Sequence, residues 1–168
     1  NCVGLTNVEE CEKNSDLAFY LNGYLPGEIA KITSNTSAKL IHISTDHLFD
    51  GKSKENQEDD LVKPLNTYAK SKFLGENEVF KNDSSALIIR TNFFGKGPLY
   101  KPSFSDKIIS SLINKEQIYL FNNVYYSPIH VNELADGVLK LIEFNREGIF
   151  NISSNERITK YDFGLLIA

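Results

Sequence analysis

The chain is short of cysteine, of charge of one sign and of long apolar runs. Cys2 and Cys11 are its two cysteines. Two are too few for a disulfide framework, and their spacing matches no metal site. Both are read as reduced thiols, which fits a cytoplasmic protein, and no metal is expected. No apolar run reaches the length of a membrane span and no signal-peptide pattern opens the chain, so no membrane partner is expected. The net charge is −4, with acids and bases mixed along the sequence. Without a basic stripe or a charged tail, nucleic acid is not expected as a partner either. Repeats, low-complexity tracts and clean linkers are also missing. The ends lack punctuation: "NCVGLTNVEECE" opens without a methionine or a lead-in to a first element, and "YDFGLLIA" breaks off inside an amphipathic pattern. Both ends are read as cut from a longer protein.

What is there is ordinary globular material, 168 residues of which 41% are hydrophobic, enough for a core. "KLIHIS" at 39–44 and "ALIIRT" at 86–91 are short apolar runs of the kind buried in parallel sheets. Between them lie a polar loop over 47–63 and a helix from Asn66 to about Lys81, with Asn66 as its N-cap. Val3 and its neighbours read as the tail of a strand, and 15–34 as helix interrupted near Pro26 and Gly27. Further on the pattern predicts a loop over 92–103, a helix over 104–114 and a strand at "IYLF", 118–121. An amphipathic helix follows over 131–144, its apolar face made by Val131, Leu134, Ala135, Val138, Leu139 and Ile142. A strand at "GIFNIS" and a final helix from 159 complete the order. Strands alternating with helices predict an α/β protein with a mainly parallel sheet.

In such sheets ligands bind beyond the carboxyl ends of the strands. Ser44, Thr45 and Asp46 end one strand, and Thr91 and Asn92 end the next. The crossover helix starts at the same edge, and its first two turns carry Tyr68 and Lys72. A four-residue spacing puts that pair on one helix face. An ammonium beside a phenol makes its proton easier to lose, so the pair can serve acid–base chemistry. The plain alternative is a packed ring with a wet hydroxyl beside a solvated charge. His42 and His130 have no second ligand nearby in sequence and are read as structural. Arg90, inside an apolar strand, calls for a buried partner.

"STDHLFDG" at 44–51, "PLNTYAKSKFLGE" at 64–76, "IIRTNFFG" at 88–95 and "GIFNISSNERITKYDFG" at 148–164 occur in this order. Together with "NCVGLTNVEECE" at 1–12 and "YYSPIHVNELADGVLKLI" at 125–142, the set resembles the extended short-chain dehydrogenase/reductases, most closely the dTDP-4-dehydrorhamnose reductase family. The resemblance implies part of a Rossmann-like, doubly wound sheet with a small substrate-side portion. Residues 1–92 would be the C-terminal part of the dinucleotide-binding domain, and 93–168 mixed sheet-completing and substrate-side segments. It implies NADPH or NADH as cofactor, reduction of a 4-keto nucleotide sugar, and leaves a homodimer open. Tyr68 would be the proton donor. Lys72 would lower its pKa and hold the nicotinamide ribose, and Thr45 would orient the substrate oxygen. Thr6, Asn7, Val8, Ser44 and Asn92 would line the cofactor beside Tyr68 and Lys72, and Asp46 and Phe93 would join Thr45 at the substrate.

The sequence also departs from the family. The Gly-rich turn that binds the cofactor pyrophosphate is not in it, and "GKGP" at 95–98 follows the wrong strand to replace it. His47 stands where these reductases usually have tyrosine. The run Thr45-Asp46-His47 lacks the Asp-Glu pair of the sugar-nucleotide 4,6-dehydratases, and Asp46 fits an epimerase less well. A non-catalytic relative, such as the regulatory beta subunit of methionine adenosyltransferase, is the alternative from another class.

Overall fold

A computed structural model describes all 168 residues, Asn1–Ala168. In chain order the helices are α1 (Val8–Lys13), α2 (Ser15–Phe19), α3 (Leu25–Thr33), α4 (Thr67–Asn82), α5 (Phe104–Ile113), α6 (Val131–Glu143) and α7 (Lys160–Ile167). The strands are β1 (Ile41–Ile43), β2 (Leu87–Thr91), β3 (Phe93–Phe94), β4 (Tyr125–Tyr126), β5 (Ile129–His130), β6 (Gly148–Ile152) and β7 (Ile158–Thr159). They gather into two compact units, Asn1–Thr91 with Leu141–Asn151, and Asn92–Lys140 with Ile152–Ala168.

The first unit is built on a sheet of order β1-β2-β6. β1 and β2 run parallel, with Ile41 opposite Leu87 and Ile43 opposite Ile89. They are joined by α4, as the two apolar runs bracketing one helical pattern require. Every residue of β2 is buried, which is why "LIIRT" reads as a continuous apolar run rather than an alternation. α3 and α4 close over this sheet around Ala30, Leu40, Val79, Ala86 and Ile88. Each fully buried branched side chain here is worth about 1.5–3 kcal/mol relative to exposure.

α4 starts where the sequence says it should. The Asn66 side chain accepts a hydrogen bond from the Ala69 amide at 2.8 Å, and Asn66 itself is extended. Glu12 of α1 then grips the first helical residue. Its carboxylate accepts from the Thr67 amide and the Thr67 hydroxyl, both at 2.7 Å. An anion at this point also meets the positive end of the helix dipole. At the far end Asp83 accepts from the amide and hydroxyl of Ser85, turning the chain into β2.

Two expectations shift in this unit. The helical stretch is not broken at Pro26. It runs from α2 through a π-helical turn at Tyr20–Tyr24 into α3, where Pro26 sits in the first turn. A proline there gives no N–H back to the carbonyl of Asn22, four residues earlier, and the irregularity precedes the ring rather than following it. Val3 belongs to no strand and is exposed. Strand-like pairing at this edge is confined to Asn1, which gives its amino group to the Ile41 carbonyl and takes the Ile43 amide.

The second unit holds a parallel pair, β3 with β5, and an antiparallel pair, β4 with β7. Its core is Ile108, Tyr126 and Phe163, with Phe94, Ile118, Leu120 and Ile158 against it. α5 and α7 both begin in capping boxes, Ser103 with Asp106 and Thr159 with Asp162. Gly97 of the "GKGP" loop gives its amide to the same Asp106 at 2.7 Å. A Cβ on Gly97 would come within 2.6 Å of the Lys101 carbonyl, so this glycine serves the tight approach to α5.

"IYLF" forms no strand. Ile118 and Leu120 turn into the core while Tyr119 and Phe121 are exposed, so the alternation is real, but no ladder partner accompanies it. In α6 Leu134 alone is buried, and Val131, Leu139 and Ile142 are exposed. Periodicity marks which face is apolar; it carries nothing about what packs there.

Candidate active site

The carboxyl end of β1 delivers Ser44 and Thr45, both buried. Thr45 is extended (φ −142°, ψ 153°) and caps a short 3-10 turn, Asp46–Leu48, by accepting the His47 amide at 3.2 Å. The hydroxyl of Tyr68, the second residue of α4, lies close enough for the Thr45 side chain to bear on its proton. The two hydroxyls expected at one sheet edge are therefore neighbours there. The His47 ring packs edge-on against the Tyr68 ring, centroids 5.7 Å apart. The Asp46 carboxylate lies 3.9 Å from the far nitrogen of that imidazole.

Tyr68 is half-buried, and its phenol is held above its ordinary pKa. Burial is the first cause; the Thr45 side chain opposes it, and Asp46 adds to it. This differs from the expected lowering by Lys72. The Lys72 ammonium points into the strand end, where it donates to the Ile43 carbonyl at 2.5 Å. It is buried, which lowers its pKa to about 8, while Glu76, one turn further along α4, raises it.

The remaining residues expected at the site fall in different places. Ser44 donates to a carboxylate oxygen of Glu76 at 2.5 Å. Asn7 is the N-cap of α1, accepting the Glu10 amide at 3.0 Å; Thr6 beside it is exposed and Val8 half-buried. α1 reaches the start of α4 through Glu12, and its Cys11 thiol is close enough to bear on the Tyr68 phenol. Asn92 and Phe93 belong to the second unit. There the Asn92 carbonyl accepts the Ile129 amide at 3.0 Å, and Phe93 pairs with Ile129 in β3–β5. The His130 ring lies edge-on to Phe94 at 5.4 Å. His42 is fully buried in β1.

Three polar residues escaped the sequence reading. Glu76 is fully buried and takes Arg90 of β2 in a fork, with Nη2 2.7 Å and Nε 3.0 Å from its oxygens. Arg90 also donates to the Glu58 carbonyl and lies over the Phe49 ring. The signal for Glu76 was present: a cation inside an apolar strand demands a carboxylate, and Glu76 lies one turn beyond Lys72. Asn22 had no such signal. From the π-helical turn it donates to Ser71 and the Leu5 carbonyl and accepts the Leu5 amide. Ser71 in turn donates to the Tyr68 carbonyl at 2.8 Å, so the residues before α1 and the first turns of α4 share one clasp.

Comparison with known proteins agrees with this architecture. The family model described as the RmlD substrate binding domain matches residues 1–168. The probable low-salt glycan biosynthesis reductase Agl14 of Haloferax volcanii is 31% identical over 98% of this chain and 56% of its own length. Methionine adenosyltransferase 2 subunit beta of Xenopus laevis is 30% identical over 100% of this chain and 52% of its own. The crystal structure of dTDP-4-dehydrorhamnose reductase from Bacillus anthracis in complex with NADP superposes with a TM-score of 0.92 at 30% identity, covering 99% of this chain and 59% of that one. The chain thus spans about half the length of the curated relatives it matches. Matched from end to end by the family model and sharing the Rossmann-like α/β fold of the reductases, the chain belongs to the RmlD substrate binding domain family.

Proposed function

We propose that the chain is the part of an NAD(P)H-dependent reductase that protonates the oxygen of a 4-keto nucleotide sugar as that ketone is reduced. The observation that carries the reading is the Thr45–Tyr68 hydroxyl pair at the carboxyl edge of β1, with the Lys72 ammonium beside the same strand end. The donor set fits a nicotinamide nucleoside. Ile43 takes one of the three N–H donors of Lys72, and the others suit a ribose diol. When bound, the nicotinamide supplies hydride to the keto carbon. Tyr68 gives its proton to the oxygen that becomes an alkoxide, and Thr45 orients that oxygen. A phenol held above its ordinary pKa is fully protonated at neutral pH, so the acid is loaded; an alkoxide is basic enough to take the proton. General acid catalysis of this kind is worth about 10²–10⁴-fold.

The reading makes the protein a cytoplasmic enzyme of nucleotide-sugar synthesis, of which dTDP-rhamnose formation is the model case. It works on NADPH or NADH and on a small nucleotide-linked ketone. The match to methionine adenosyltransferase 2 subunit beta supports a second reading, a binding subunit with a reductase-like fold. Oxidation of NADPH and NADH by the full-length protein, in the presence of a panel of 4-keto nucleotide sugars, separates the two. Turnover that disappears in Tyr68→Phe is the expected result. Absence of turnover with every sugar, with dinucleotide still bound, would overturn it in favour of the binding subunit.

A further inference from the structure

We propose that Glu76 is a positioning residue of this site, holding the Lys72 ammonium charged and seated against the end of β1. α4 clasps that strand end with two side chains one turn apart. Lys72 takes the Ile43 carbonyl, and Glu76 takes the hydroxyl of the next residue, Ser44. Thr45, the partner of Tyr68, follows directly. Both α4 side chains are buried, Lys72 at 6% exposure and Glu76 at 1%. An ammonium withdrawn from water favours its neutral form unless a carboxylate compensates. Glu76 is that carboxylate, at the i+4 position of the same helix. Its two oxygens are gripped by the Arg90 guanidinium, and its charge reaches Lys72 through space, without a direct ion pair. Arg90 and Lys72 thus both feel one anion, and the groups facing Lys72 include the Cys2 thiol and the imidazole of His42 on β1 as well.

This shared anion gives the inference a signed test. ¹³C NMR titration of the chain grown with ε-¹³C-lysine reads the Lys72 ammonium directly, the resonance being assigned by its loss in Lys72→Arg. Glu76→Gln keeps the shape and removes the charge, and the Lys72 midpoint is expected to move down by at least about half a pH unit. Arg90→Met removes the other cation, and the midpoint is expected to move up. Movement of both in the same direction, or no movement in Glu76→Gln, overturns the proposal. A merely structural network would loosen the strand end alike in both variants. Should Glu76→Gln fail to fold with Arg90 unpaired, the double variant Glu76→Gln/Arg90→Met replaces it, and its midpoint must lie below that of Arg90→Met. The inference rests on the reductase reading for the use made of Lys72. The titration does not: it reports on Glu76 whether or not the chain reduces any sugar, so the two can fail separately.

Discussion

The carbonyl oxygen of Asn22 occupies the space that a side chain on Gly75 would need: a Cβ there would lie 2.1 Å from it. This is the carbonyl that Pro26, lacking an N–H, leaves without its helical partner. The π-helical turn and α4 touch backbone to backbone at this point.

Gly75→Ala is therefore expected to cost about 1–3 kcal/mol, the range for overpacking a tight interior, and more where backbone must move. Chemical denaturation checks it. Gly51, whose Cβ would meet nothing within 4 Å but which has φ +74°, is the contrast. Its replacement by alanine should cost only the backbone strain of about 1 kcal/mol. Equal effects at the two positions would show that the helix contact is not tight.

For the chemistry, Tyr68→Phe removes the proton donor and should lower keto-sugar turnover by about two or more orders of magnitude. Thr45→Val removes the orienting hydroxyl while keeping the shape of the side chain. It should lower turnover less, by about tenfold to a hundredfold, with binding of the dinucleotide little changed in both. Steady-state kinetics with dinucleotide titration separates the terms. Unchanged turnover in Tyr68→Phe would return Tyr68 to a packed ring on a helix.

Lys72→Ala should weaken dinucleotide binding as well as turnover. It should also leave the Ile43 carbonyl without its donor, while the Glu76 carboxylate keeps the Arg90 guanidinium. Since the phenol is raised by burial rather than lowered by Lys72, the pH dependence of turnover assigned to Tyr68 should survive this substitution. A profile whose alkaline limb moves upward in Lys72→Ala would restore the direct lowering that the sequence suggests.

Much of this was legible in the sequence, for identifiable reasons. The parallel β1–α4–β2 unit follows from apolar runs that need burial on both faces, and from a cap at Asn66 that is purely local. The meeting of Thr45 and Tyr68 follows from topology, because a crossover helix begins where its strand ends. The aim of Lys72 was not legible. Four-residue spacing sets the face of a helix, but the ammonium sits at the end of a flexible stem. It went to the Ile43 carbonyl instead of to the phenol. The two-residue strands β3, β4, β5 and β7 carry too few residues for any period, and "IYLF" shows a period with no ladder beside it.

The pH dependence of stability should be governed in part by His42. The imidazole is fully buried on β1, and its Nε2 has no hydrogen-bond partner. Burial, with the neighbouring Lys72 charge second, lowers its pKa from 6.5 to about 3. The unfolded chain therefore takes up a proton near pH 6.5 that the folded chain refuses until about pH 3. Between those values the unfolded state binds more protons, so stability falls as pH falls. The contribution is fully present above pH 6.5, declines below it, and levels off near pH 3. Its full size is on the order of 5 kcal/mol. Urea midpoints measured from pH 7.5 to 4 should decline along this course. In His42→Leu the decline should be shallower, because no imidazole remains to be protonated in the unfolded state, even if the variant starts from lower stability. An equally steep decline in His42→Leu would assign the acid sensitivity to the carboxylates instead, with the buried Glu76 fork to Arg90 the first to test.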